Sequence, residues 1–460
     1  MKKFKIEYLL YIFIIISPFL DAISCLFRDW FPSIPISPST VLRPIIPLIL
    51  LIYVFFKDKK IRKYLIISAI LMIVYGSVHL LLYKEIITGI SFGGVIREAQ
   101  YIINYTYMIY VLFLYLYFIK KRGLPYLSNS LILMLFSYLG MIYISILSGT
   151  SYSTYVEGMG YRGWFTSGNS LSTILVLLFG SLICKLFKER KIKYYLLTLL
   201  LVIYLAFLIG TRTGLLGIIL IFVIYFGYLF INFILKKKRF NFKKIVILFV
   251  LVLVFCGALL TFGSSTFERR EHMDVESDGI YDINTSKGGY TTGDTSMYVY
   301  HIRNNTLEDG LFSEAQKKAL EGMYEFANDV KLDSNNTRVQ QLIYHLYLVK
   351  YQKNGWYILF GNGYLANQGE MTLEMEVPAI LCNFGLLGFI LYLCPFIGVF
   401  IYCIRKIIIN KKYEIENIMN IFSVLLAFAL SFLAGYVFFS VSCVLIIICI
   451  LSLLYKEGEV

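Results

Sequence analysis

Charge is what this chain has least of. Only 16% of its 460 residues are Asp, Glu, Lys or Arg, against roughly 25% in a soluble domain. That scarcity excludes an ordinary soluble enzyme and a disordered chain. Histidine is scarce too, with four residues scattered at no metal-ligand spacing. The eight cysteines contain no CxxC pair and lie in or at the ends of apolar runs, which fits packing and not a disulfide scaffold or a zinc site. No Gly-rich phosphate loop and no nucleophile elbow is present, so nothing supports ATP-driven chemistry. What remains is 58% hydrophobic, with a mean hydropathy of +0.71. This is the composition of a membrane protein with many spans.

A spanning helix needs roughly 20 apolar residues. Twelve such segments are readable, at 8–27, 40–56, 64–83, 100–119, 126–148, 167–187, 194–210, 214–235, 245–263, 379–404, 418–435 and 438–455. The first follows Lys2, Lys3 and Lys5 but lacks a small-residue cleavage site, so it reads as a retained span. Lys-rich clusters fall at the amino terminus, 57–63, 120–122, 185–193, 236–244 and 405–412. All lie on one side of a twelve-span topology. The positive-inside rule makes that side cytoplasmic and puts both termini there. The net charge of +14 therefore reports orientation in the cytoplasmic membrane, not affinity for nucleic acid. The expected fold is an all-α polytopic membrane protein.

One connection is long. Residues 264–379 form an acidic loop on the outside, which divides the chain into 1–263, 264–379 and 380–460. A structureless loop of that length is uncommon inside a compact protein. Two amphipathic helices are predicted in it, at about 312–331 and 337–352, the second capped from Ser334, Asn335 and Asn336. Gly361-Asn-Gly363 predicts a turn, and residues 272–310 read as irregular.

Basic residues are disfavoured outside, yet Arg28, Arg43, Arg97, Arg162 and Arg212 fall at outer helix ends. Arg43, Arg97, Arg162 and Arg212 lie at or just before expected helix amino termini, where unpaired N–H groups favour anions. A guanidinium added there suits a phosphate or pyrophosphate. Simple interface anchoring accounts for each arginine equally well. Glu374 and Glu376 precede Pro378, which is expected to open a helix. A carboxylate at that level can take a proton from a sugar hydroxyl, or merely compensate the helix terminus.

Four landmarks then resemble the O-antigen ligase and Wzy-type polysaccharide polymerase family. They are Arg162-Gly-Trp-Phe…Asn169, Gly210-Thr-Arg-Thr-Gly214, Thr337-Arg338 with Phe360-Gly-Asn-Gly363, and Glu374-Met-Glu376…Gly385-Leu-Leu-Gly388. The resemblance covers roughly residues 150–440. It implies a metal-independent, cofactor-free membrane glycosyltransferase that uses an undecaprenyl-pyrophosphate-linked oligosaccharide at the outer face. By that resemblance Arg212 and Arg338 hold the pyrophosphate, assisted by Arg162; Arg43 and Arg97 are further candidate anion ligands by their place at expected helix amino termini alone. Glu374 or Glu376 is the catalytic base. Ligases often carry a His near the loop exit, where this chain has Glu374 and Glu376, and that favours a polymerase. Its partners are the lipid-linked glycan, membrane lipid and, for a polymerase, a chain-length regulator. The rivals are a ligase, which moves a finished glycan to another acceptor, and a flippase or transporter. The last should show deep ionisable groups and internal symmetry. Asp21 and Arg43 are the deep candidates, and no repeat is evident.

Overall fold

The computed structural model describes residues 5–31, 33–34, 36–86, 92–154, 160–188, 192–236, 246, 249–257, 295–307, 314–329, 338, 341–343, 345–347, 355–363, 373–433 and 435–459. The chain is an all-α polytopic membrane protein. Among the described residues, 10 helices are long and apolar enough to cross a membrane, against the twelve expected. The difference lies in two segments. The expected span 194–210 is the helix Ile192–Ile209, whose described apolar part, Leu196–Ile209, is shorter than the rest. The expected span 245–263 is described only at 246 and 249–257, all of them helical, and the rest of it lies outside the described residues.

In chain order the helices are α1 (Tyr8–Trp30), α2 (Pro38–Leu42), α3 (Ile45–Lys57), α4 (Lys59–Ile86), α5 (Phe92–Arg122), α6 (Leu127–Leu147), α7 (Gly168–Lys188), α8 (Ile192–Ile209), α9 (Arg212–Lys236), α10 (Thr295–Arg303), α11 (Glu314–Asp329), α12 (Trp356–Phe360), α13 (Glu376–Ile409), α14 (Ile415–Leu433) and α15 (Val441–Glu459). A short antiparallel pair, β1 (Tyr152–Ser153) with β2 (Tyr161–Gly163), leads into α7.

The chain forms two compact units. The first comprises 1–53, 107–267 and 396–460. Its centre is α7, 83% buried over its spanning window, packed by α6, α8, α9, α14 and α15. Phe13, Tyr115, Tyr138, Phe179, Phe207 and Phe438 fill its core. Lipid is as apolar as these side chains, so tight packing and internal hydrogen bonds must hold such a bundle together. Tyr115 donates to the Leu10 carbonyl at 2.9 Å, and Tyr143 to that of Leu201 at 3.1 Å.

The second unit comprises 54–106 and 268–395. Only 17% of the α4 window is buried, and Ile66, Ile67, Ile70, Leu71 and Val74 are exposed, as suits a lipid-facing stripe. The loop helix expected at 312–331 is α11. The second expected loop helix is seen as helical residues 338, 341–343 and 345–347. The segment expected to be irregular contains α10, a correction. Its sequence, Thr-Ser-Met-Tyr-Val-Tyr-His-Ile-Arg, is a poor helix former by propensity. Packing against α11 supplies the stability, with Val299 fully buried and Arg303 reaching Glu321 and Glu325.

One element departs from regular geometry. At Gly385, α13 takes φ 68° and ψ −177°, a conformation essentially confined to glycine. The break faces the Gly361–Gly363 turn, where Gly361 has φ 83°. A Cβ on Gly361 would collide with the Asn383 carbonyl, and one on Gly385 with that of Leu359. Two backbones therefore meet at a distance that only paired glycines permit.

Candidate active site

The loop exit gathers the best-defined polar cluster near the expected carboxylates. Glu376 is the first residue of α13 and is fully buried, so the helix opens two residues before Pro378, not at it. Proline is tolerated there because first-turn N–H groups have no intrahelical partner. Glu374 precedes the helix in irregular chain and is half-exposed. Its carboxylate accepts the Arg338 Nε–H at 2.9 Å, and its backbone N–H donates to Gln341 Oε1 at 3.2 Å. Arg338 and Gln341 lie on one face of the second loop helix. His345, one turn further on, is buried and donates through Nδ1 to the Gln341 carbonyl at 2.9 Å. Burial lowers its pKa to about 4. The His345 carbonyl accepts the Asn362 amide at 3.3 Å, tying this helix to the glycine turn.

Two buried groups beside that turn are missed by the sequence patterns. His79 of α4 and Glu98 of α5 have fully buried side chains, and their Nε2 and Oε1 atoms lie 2.7 Å apart. The other ring nitrogen of His79 meets the Phe360 carbonyl at 2.6 Å. An ionisable side chain within an apolar run is the signal that points to them.

The remaining arginines stand apart from this cluster in sequence and in partners. Arg212 is the first residue of α9 and is exposed, with Gly210 at φ 74° before it. Thr211 caps the helix by accepting the Gly214 N–H at 3.2 Å, as its position anticipates. Arg162 lies on β2, donates to the Thr166 carbonyl at 2.7 Å and covers the Tyr152 ring at 5.8 Å. Arg43 sits in the break between α2 and α3. It is buried and donates to Asp21, to the Ser17 carbonyl at 3.1 Å and to the Ser442 hydroxyl at 3.0 Å. Asp21 also accepts the Tyr138 hydroxyl at 2.8 Å, and a cavity of about 40 Å³ opens beside it, lined by Phe165, Ser167 and Ser170. Arg97 falls inside α5, past its start at Phe92, and its side chain is outside the described set. Of the arginines expected at helix starts, Arg212 occupies a first helical position. Among the described residues, no group of three His, Cys, Asp or Glu side chains stands together as a metal site.

Among the described residues, then, ten helices are apolar enough to cross a membrane, and an Arg–Glu pair stands just before α13. The family model described as O-antigen ligase like membrane protein matches residues 3–457. The chain belongs to that family. The match spans nearly the whole chain, well beyond residues 150–440. No curated protein and no solved structure matches the chain. As an O-antigen ligase-like protein, this is a multi-pass membrane glycosyltransferase of the polysaccharide ligase and polymerase kind, acting on lipid-linked oligosaccharides.

Proposed function

We propose that this O-antigen ligase-like protein is the polymerase of a surface polysaccharide. It transfers a glycan from undecaprenyl pyrophosphate to a sugar hydroxyl of a lipid-linked repeat unit. The reaction takes place at the outer face of the cytoplasmic membrane, with both termini on the Lys-rich inner side. The observation that carries this reading is the Arg338–Glu374 pair, 2.9 Å apart and two residues from the start of α13.

That pair suits an inverting displacement. The acceptor hydroxyl oxygen bonds to the anomeric carbon. The bond from that carbon to the pyrophosphate oxygen breaks, and its electron pair leaves with undecaprenyl pyrophosphate. Arg338 exchanges its carboxylate partner for phosphate oxygens and stabilises the charge that develops on them. The exchange releases Glu374 to take the hydroxyl proton. Glu374 is half-exposed and Glu376 fully buried, so Glu374 is the better placed base. Arg212 offers a second guanidinium, backed by first-turn N–H groups of α9. Arg162 assists it. Arg97 stays a candidate anion ligand, and Arg43 serves mainly to hold α1 to α3 through Asp21.

The family's description favours one other reading, a ligase that passes a finished glycan to a different acceptor. The lipid-linked material that accumulates when the protein is removed separates the two. Single repeat units on undecaprenyl pyrophosphate support the polymerase. Long lipid-linked chains support the ligase. Undiminished polymer on its usual acceptor refutes both.

A further inference from the structure

The break at Gly385 interrupts the α13 hydrogen-bond ladder, and the carbonyls it releases need other donors. The Cys382 carbonyl accepts the Asn362 N–H at 2.8 Å, and the Asn383 carbonyl accepts the Gly363 N–H at 2.9 Å. The Phe384 carbonyl accepts the Tyr75 hydroxyl at 2.7 Å. Across the contact, the Phe360 carbonyl at the end of α12 meets His79 Nδ1 at 2.6 Å.

Tyr75 and His79 are four residues apart on α4 and so share one face. Their contacts cross over. Tyr75 donates to Phe384 and stacks on Phe360, with centroids 5.9 Å apart. His79 donates to Phe360 and its ring lies 5.6 Å from that of Phe384. One helix face therefore grips both sides of the glycine contact.

Glu98 fixes the state of this grip. A carbonyl has only lone pairs to offer, so His79 Nδ1 carries a proton. The bridge between His79 Nε2 and Glu98 Oε1 then holds one proton, on either atom. Both arrangements are neutral overall, which is what a dry site requires. The carboxyl also holds the ring in the orientation that reaches Phe360.

We propose that Tyr75 and His79, braced by Glu98, form a positioning clasp that sets the 360–363 turn against α13 and so places Glu376, its first residue, and Glu374, two residues before it, for glycosyl transfer. The clasp touches no reacting atom; it acts through the helix start. What is being positioned rests on the proposed polymerase function, but the mechanical part of the clasp does not.

The experiment uses the full-length protein in membranes, with Cys256 and Cys394, the exposed cysteines, replaced by serine. Asn362→Cys reports on the turn through its rate of maleimide labelling. Glu98→Leu should raise that rate about tenfold, the consequence of one weakened hydrogen bond. Glu98→Gln should leave it within about threefold, because its amide N–H can donate to neutral His79 Nε2. With lipid-linked glycan as substrate and Asn362 intact, Glu98→Leu should lower kcat by about 10- to 100-fold, with KM nearly unchanged, the signature of displaced catalytic groups. Glu98→Gln should restore kcat. Unchanged labelling in Glu98→Leu overturns the clasp. Faster labelling with an unchanged kcat overturns its positioning role. Faster labelling in a protein whose parent transfers no glycan leaves the clasp standing and overturns the glycosyl-transfer reading instead.

Discussion

Replacing Gly385 by alanine tests the glycine contact most sharply. The wild-type φ of 68° with ψ of −177° costs any L-residue about 1–3 kcal/mol. The added Cβ would also strike the Leu359 carbonyl and the Gly361 N–H. Relief of that collision requires the turn to withdraw, which breaks the bonds from Asn362 and Gly363 to the Cys382 and Asn383 carbonyls. Each such bond contributes about 1 kcal/mol. The expected loss is therefore about 3–5 kcal/mol, concentrated on the second unit. Gly398→Ala is the matched control. It lies in the same helix, with nothing within 4 Å of an added Cβ, so it should be neutral or slightly stabilising. Thermal unfolding of the purified proteins in detergent measures the difference. Gly385→Ala should melt well below wild type and Gly398→Ala at or above it. If the two variants melt together, the glycine contact does not carry the stability assigned to it.

Arg43→Ala should destabilise the first unit by about 3–5 kcal/mol, since it leaves Asp21 without its cation. Adding Asp21→Asn should recover part of the loss, a non-additivity that a double-mutant cycle in thermal unfolding measures. His345 has a pKa near 4 when the loop is docked, below the usual value of about 6.5. The unfolded loop therefore binds a proton that the docked loop refuses. Docking is at full strength above about pH 6.5 and weakens as pH falls toward 4, by about 2 kcal/mol at pH 5. Hydrogen exchange of residues 341–343 and 345–347, corrected for intrinsic rates, should show the loss of protection, and protection that does not change with pH refutes it. Arg303→Ala, in contrast, removes exposed ion pairs to Glu321 and Glu325 and should cost under about 1 kcal/mol in the same melting assay.

Much of the fold was legible because an apolar run near 20 residues matches the bilayer thickness. Helix α11 and the turn at Gly361–Gly363 followed from local pattern in the same way. The break at Gly385 did not, because it lies inside an apolar run that reads as uninterrupted helix. Only the approach of the Gly361 backbone makes a left-handed residue necessary there. Helix α10 was hidden by β-branched and aromatic residues whose helical state depends on packing against α11. For the site, Arg338 and Glu374 were each singled out, but their pairing across 36 positions comes from the fold. His79 and Glu98 were not, because they lie 19 positions apart on different helices and form no local motif. Their meaning rests on each other and on one backbone carbonyl.

The most direct measurement is transfer by the purified protein in lipid vesicles, given an undecaprenyl-pyrophosphate-linked repeat unit as both donor and acceptor and no added metal. Release of free undecaprenyl pyrophosphate together with lipid-linked chains of two or more repeats is the expected result. Arg338→Ala and Arg212→Ala should each lower that release by about 100-fold or more, as loss of transition-state charge stabilisation does elsewhere. Full release by Arg338→Ala, or intact lipid-linked substrate after prolonged incubation with the wild-type protein, would contradict the proposed glycosyl transfer.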